Sequence, residues 1–193
     1  MSPLYQMFIF ALIMSLYPGI PNIASALYGQ KRGLFNSLRF INGATISYAS
    51  LFFIVSYGRF HLVKEFQIFV EIIKYIGSAY MITLAYRVIT FDKDYVFPEG
   101  IKDSFAEGFL AQWINPNSWS SAVVGVSNFV DSRKSLIEII GTLLVVGWLC
   151  KAIWTYVGST FSNLLVAPKK NKMFVKSLGV LIAGSAIYIL AWS

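Results

Sequence analysis

Two short runs in this chain combine helix breakers with side-chain amides: Tyr17-Pro18-Gly19-Ile20-Pro21-Asn22 and Trp113-Ile114-Asn115-Pro116-Asn117-Ser118. Proline lacks a backbone N–H and pushes away the carbonyl four residues earlier. Pro18 and Pro21 therefore free the carbonyls of Met14 and Tyr17, and Pro116 frees that of Gln112. The half-helix after each break offers N–H groups and a positive dipole end to a carboxylate, while freed carbonyls suit an ammonium. Asn22, Asn115 and Asn117 add donors and acceptors at the same depth. Such a set suits a small zwitterion, with Pro18, Gly19, Pro21 and Pro116 shaping the site, the asparagines touching the ligand, and Gln112 and Tyr80 lining it.

Other polar residues are weighed against structural roles. Lys151 lies inside an apolar run, where a charge costs roughly 2.5–3.5 kcal/mol at a helix centre. It needs a partner or a cavity, or it snorkels toward the membrane surface. Glu71 and Lys74 are three apart on one helix face and can pair with each other; together with Lys151 they are the candidates for ion coupling. His61 has no neighbouring ligand residues, and Cys150 is the sole cysteine. Neither a metal site nor a bound cofactor is expected, and no catalytic group is assigned. Thiol redox transfer needs two cysteines, and soft-metal export needs Cys, His or carboxylate ligands near the broken helices. An intramembrane redox protein or metal exporter is therefore the weaker alternative.

The elements that must hold these residues follow from composition. Of the 193 residues, 56% are hydrophobic and only 13% charged, about half the usual charged share. Six apolar windows, near 4–28, 37–58, 68–90, 105–129, 137–160 and 173–192, approach the roughly 20 residues that span a bilayer. Their continuity predicts helices, since barrel strands alternate polar and apolar residues. Short polar joints separate them at 29–33, 59–64, 92–103, 131–135 and 167–172. The expected fold is an all-α polytopic membrane protein, a single transmembrane domain over 1–193.

Cytoplasmic joints carry the excess of Lys and Arg. With both termini outside, they would hold Lys31, Arg32, Arg39, Arg87, Lys93, Lys102, Lys169, Lys170, Lys172 and Lys176. The outer joints would hold Arg59, Lys64, Arg133 and Lys134. The net charge of +7 then reflects topology and contact with anionic lipid heads, and its dispersal argues against a nucleic-acid partner.

The two proline runs sit 98 positions apart, and Lys74-Tyr75-Ile76-Gly77 is echoed by Lys176-Ser177-Leu178-Gly179. Halves of about 1–92 and 103–193, three helices each, would enter the membrane from opposite sides as inverted repeats, a pattern of secondary transporters. Gly43-x-x-x-Ser47, Gly179-x-x-x-Ala183, Gly141 and Gly147 are expected to be packing seams, and such seams also offer surfaces for a homodimer.

These motifs carry a family resemblance. Pro18-Gly19 through Asn22 with Gly33, Arg39 and Gly43 resembles the opening motif of the LysE/RhtB family of bacterial amino-acid exporters. Tyr75 to Tyr80 with Leu84 and Arg87 resembles that family's third helix, and Gly108 to Pro116 its fourth. Gln112 and the run Val124 to Val130 are most similar to the cysteine/O-acetylserine exporter branch. The resemblance covers nearly the whole chain. It implies a multi-pass protein of the bacterial cytoplasmic (inner) membrane that exports a small amino acid or derivative, driven by the proton gradient. The chain departs from the family pattern at Ile20, which displaces the second proline to Pro21, at Asn117, where the family often has Lys, and at Ser47, where a small glycine is expected. The substrate therefore does not carry over.

Overall fold

The computed structural model describes residues 2–61, 63–90, 105–164 and 168–192, all of them in helices or their connections. Ser2 caps α1 (Pro3–Leu16) by accepting the Tyr5 N–H, with Pro3 in the first turn. Pro18 cannot continue that helix and restricts the residue before it; Tyr17 accordingly leaves helical geometry at φ −55°, ψ 133°. The chain re-enters a helix as α2 (Ile20–Asn36), bent by 60° from α1. A second break separates α5 (Phe105–Trp113) from α6 (Pro116–Phe129). There the Asn115 side chain accepts the Asn117 N–H at 3.3 Å and Pro116 opens the new helix, the position where a missing N–H is harmless. The unbroken helices are α3 (Leu38–His61), α4 (Val63–Thr90), α7 (Arg133–Leu164) and α8 (Pro168–Trp192).

Helix ends differ from expectation at the polar joints. Residues 29–32 are helical, and α2 runs on to Asn36 across a kink at Gly33, whose φ is 74°. Lys, Arg and Gln are good helix formers, so polarity there marks an exposed helix end and only the glycine breaks it. For the same reason α8 begins at Pro168, ahead of the expected 173. The turn before α7 is tied by Ser135, whose hydroxyl donates to Asp131 Oδ1 at 2.8 Å and accepts from Ser132 N at 3.0 Å. Hydrogen bonds from Ser135 and Ser132 hold the Asp131 carboxyl below its usual range. The acidic joint 92–103 and the side chain of His61 lie outside the described residues.

Among the described residues, α3, α4 and α7 are long and apolar enough to cross a membrane, and the bent α1–α2 pair is so if counted as one span. The apolar part of α8, Lys176–Ala191, is shorter, and α5 and α6 hold 9 and 14 residues. Burial is inverted relative to a soluble protein. Ile13, Ile76, Ile137, Val145 and Ile187 are each at least 60% exposed, whereas Asn22, Gln112, Asn115 and Lys151 are buried. Apolar surface of that extent requires a partner or a membrane.

The closest helix contacts use glycine. A Cβ on Gly29 would overlap the Thr155 carbonyl of α7, and one on Gly158 would overlap the Ala26 carbonyl of α2. Gly43 and Gly108 make the same reciprocal contact between α3 and α5, against the carbonyls of Phe105 and Phe40. Ser47 adds a hydrogen bond to the Phe109 carbonyl at 2.8 Å. Gly179 packs on Ile89 and Val88 of α4. These seams work within the chain. Gly141 has open space around it, and Gly147 faces Ser15 and Lys151 instead of a helix backbone; neither is a seam.

Two apolar clusters divide the interior. The chain changes from one to the other over a few residues at both helix breaks, between Ala11 and Ile20 and between Ala111 and Trp119, and within α3 and α7, between Ala44 and Tyr48 and between Cys150 and Trp154. Ser15, Ser47, Gln112, Asn115, Ser118 and Lys151 are buried polar residues within these intervals.

Candidate functional site at the paired helix breaks

At the level where the two clusters meet, a cavity is lined by Met14, Ser15, Tyr17, Gly19, Pro21, Asn22, Tyr48, Gln112, Asn115, Asn117, Ser118 and Lys151. Both breaks thus reach one site, with α3 and α7 closing it. They touch directly: a Cβ on Gly19 would lie 3.0 Å from Asn115 Nδ2, so glycine at 19 makes room for the opposite amide. The cavity measures about 10 Å³, room for about one water molecule.

Broken backbone inside a membrane protein must find partners within the protein, and here it does. Asn22 Nδ2 donates to the carbonyls of Ser15 and Tyr17, both at 2.7 Å. Ser185 of α8 donates to the Pro18 carbonyl at 2.7 Å. Across the site the Trp119 indole N–H reaches the Trp113 carbonyl at 2.7 Å, and Asn115 N–H reaches the Gln112 carbonyl at 3.3 Å. Two of the carbonyls expected to be freed, those of Tyr17 and Gln112, are therefore already partnered. Asn22 uses both amide hydrogens on the backbone and has only Oδ1 left for a ligand. Asn115 donates to Ser118 Oγ at 2.9 Å and accepts from Asn117 N. The asparagines act first as structural clamps of the breaks.

What remains unsatisfied points elsewhere in the cavity. Ser15 Oγ and Gln112 Oε1 are buried without a hydrogen-bond partner. A buried polar group in that condition costs about 1–3 kcal/mol, and both belong to the cavity wall. Lys151 is 2% exposed, so it does not snorkel. Its Nζ lies 3.4 Å from the Gly147 carbonyl and 5.5 Å from the centre of the Tyr48 ring. Tyr48 OH pairs with Ser121 Oγ at 2.8 Å.

Of the residues singled out in the sequence, Gly19, Pro21, Asn22, Gln112, Asn115, Asn117 and Lys151 converge on the cavity. Pro18 and Pro116 stand behind it, Pro116 against Gly77 of α4. Tyr80 is 44% exposed and outside the lining. Glu71 is exposed, and Lys74 lies over the Tyr75 ring at 5.4 Å; neither reaches the cavity. Ser15, Tyr48 and Ser118 were not anticipated. A tyrosine in the middle of an apolar window was the available signal for Tyr48, since its hydroxyl needs a buried partner.

Comparison with known proteins identifies a family. The family model of the LysE type translocator matches residues 12–192. The cysteine/O-acetylserine efflux protein of Escherichia coli strain K12 is 21% identical over 183 residues, covering 93% of this chain and 91% of the relative. The protein of the same name from Klebsiella pneumoniae is 24% identical over 183 residues, covering 93% and 90%, and that of Escherichia coli O157:H7 is 23% identical over 186 residues. No solved structure matches the chain. With the family match running through both helix breaks and every helix packed around them, this chain belongs to the LysE type translocator family.

Proposed function

We propose that this translocator exports a small amino acid or amino-acid derivative, of the cysteine or O-acetylserine kind, across the bacterial cytoplasmic membrane. The observation that carries the reading is the buried cavity at the paired breaks, where Ser15 Oγ and Gln112 Oε1 lack protein partners. Its place between two apolar clusters fits a site near the bilayer midplane, exposed alternately to each side. Pro18, Gly19, Pro21 and Pro116 shape it, and Asn22, Asn115 and Asn117 hold the broken backbone around the ligand.

Six spans in two inverted halves fit the packing. Exchanging α1 with α5, α2 with α6, α3 with α7 and α4 with α8 turns the α3–α5 contact into α7–α1, α2–α7 into α6–α3 and α4–α6 into α8–α2, all of which occur. The α4–α8 contact maps onto itself. In this reading the α1–α2 and α5–α6 pairs are each one broken span, both termini face outward, and the proton gradient drives export. Of the three residues weighed for ion coupling, Lys151 is the one in the cavity.

The test is overproduction in a bacterial host followed by a panel of labelled amino acids, including cysteine, O-acetylserine, homoserine, threonine and leucine. At least one should accumulate outside the cells or be tolerated at higher concentration. Asn115→Ala, present in the membrane at the normal level, should reduce that efflux at least tenfold; unchanged efflux would remove the cavity as the site.

A further inference from the structure

We propose that Lys151 anchors the carboxylate of the exported molecule, and that this makes the translocator select for substrates with a carboxylate and against those with a second positive charge. The proposal rests on the cavity being the substrate site. A lysine ammonium carries three N–H donors, yet the contacts of Lys151 Nζ are one long approach to the Gly147 carbonyl at 3.4 Å and the face of the Tyr48 ring. Burial of a cation that poorly satisfied is unfavourable unless an anion completes it.

Among the described residues the cavity lining contains no Asp or Glu, so Lys151 is the one charged residue there. An arriving carboxylate supplies the missing counter-charge and acceptors together, and charge-assisted hydrogen bonds of this type are among the strong ones. Ser15 Oγ belongs to the same corner: a point at the Cβ position of Gly147 lies 3.6 Å from Ser15 Oγ and 3.8 Å from Lys151 Nζ. An unpartnered hydroxyl beside the ammonium gives the carboxylate a second donor. The acceptors available for the other end of a zwitterion are Gln112 Oε1, unpartnered, and Asn22 Oδ1, whose amide hydrogens are engaged. The wall therefore offers a cation and a hydroxyl for the carboxylate and neutral acceptors for the ammonium. A dibasic amino acid would bring a second cation into a cavity with no carboxylate to receive it.

The experiment uses the full-length protein in proteoliposomes and whichever labelled amino acid the panel shows to be transported. Three unlabelled competitors are compared: its deaminated acid, its decarboxylated amine, and lysine. The wild-type protein should be inhibited by the acid at concentrations at least tenfold lower than by the amine or by lysine. Lys151→Met should lose that preference, and Lys151→Arg should retain it. An unchanged acid-to-amine ratio in Lys151→Met, with counterflow of the parent amino acid intact, overturns the anchor and leaves the exporter reading standing. Absence of transport of every amino acid by the wild type overturns the exporter reading itself. If Lys151→Met does not reach the membrane, the wild-type ratio decides: inhibition by the amine equal to or better than by the acid rejects the proposal. Thermal protection of the purified wild type by the acid and not by the amine supports it without turnover.

Discussion

At the residue scale, the cavity wall holds both groups whose hydrogen bonds secure the fold and buried polar atoms without a hydrogen-bond partner. Asn22 belongs to the first kind: its two amide hydrogens satisfy the Ser15 and Tyr17 carbonyls. Asn22→Ala should orphan the Ser15 carbonyl, while that of Tyr17 keeps the Gly19 N–H at 2.8 Å, and lower stability by about 1–3 kcal/mol, seen as a fall in the melting temperature of the detergent-solubilised protein together with lost export. Gln112 belongs to the second kind, because its Oε1 is buried and unpartnered. Gln112→Leu removes an unsatisfied acceptor at similar volume, so the melting temperature should hold or rise while export falls severalfold. Loss of stability in that variant would show that Gln112 is part of the scaffold. The asparagines and Gln112 were legible in the sequence because amides next to prolines in an apolar run have few structural reasons to be there. Their division of labour was not, since which hydrogen goes to which carbonyl depends on the 60° bend between α1 and α2.

At the element scale, helices approach each other where glycine permits. Gly29 and Gly158 bring α2 and α7 into backbone contact, whereas Gly141 on the same α7 faces open space. Gly158→Ala should cost about 1–3 kcal/mol through overpacking. Gly141→Ala should be neutral or stabilising by up to about 1 kcal/mol, from helix propensity alone. Parallel thermal melts check the pair, and equal effects would contradict the α2–α7 seam. Proline and asparagine spacing located both helix breaks in advance, because the physics of a missing N–H is local. Tyr48 and Ser15 escaped notice because what makes them site residues is packing between helices far apart in the chain: Tyr48 bonds to Ser121, and Ser15 faces Gly147. The polar stretch 29–33 continues the helix as far as Gly33 for the opposite reason, since charged residues do not by themselves end a helix.

At the scale of the whole molecule, the two halves exchange packing partners, and the distribution of basic residues makes the proposed opposite entries into the membrane testable. A reporter active only in the cytoplasm should be silent when fused after Ser193 and bright when inserted near Lys31; the reverse pattern would invert the topology. The all-helical, apolar character was readable from the window lengths, while the breaks at Tyr17–Gly19 and Ile114–Asn115 divide two of the windows into shorter helices. One further consequence follows from the cavity, which in this conformation holds about 10 Å³. No amino acid fits such a space, so binding is possible only for the fraction of molecules that have opened. Every measured affinity is then weakened by the reciprocal of that fraction, about a hundredfold if one molecule in a hundred is open. Small-residue substitutions at Met14, which lines the cavity, should tighten apparent binding by relieving that conformational penalty, even though they remove contacts.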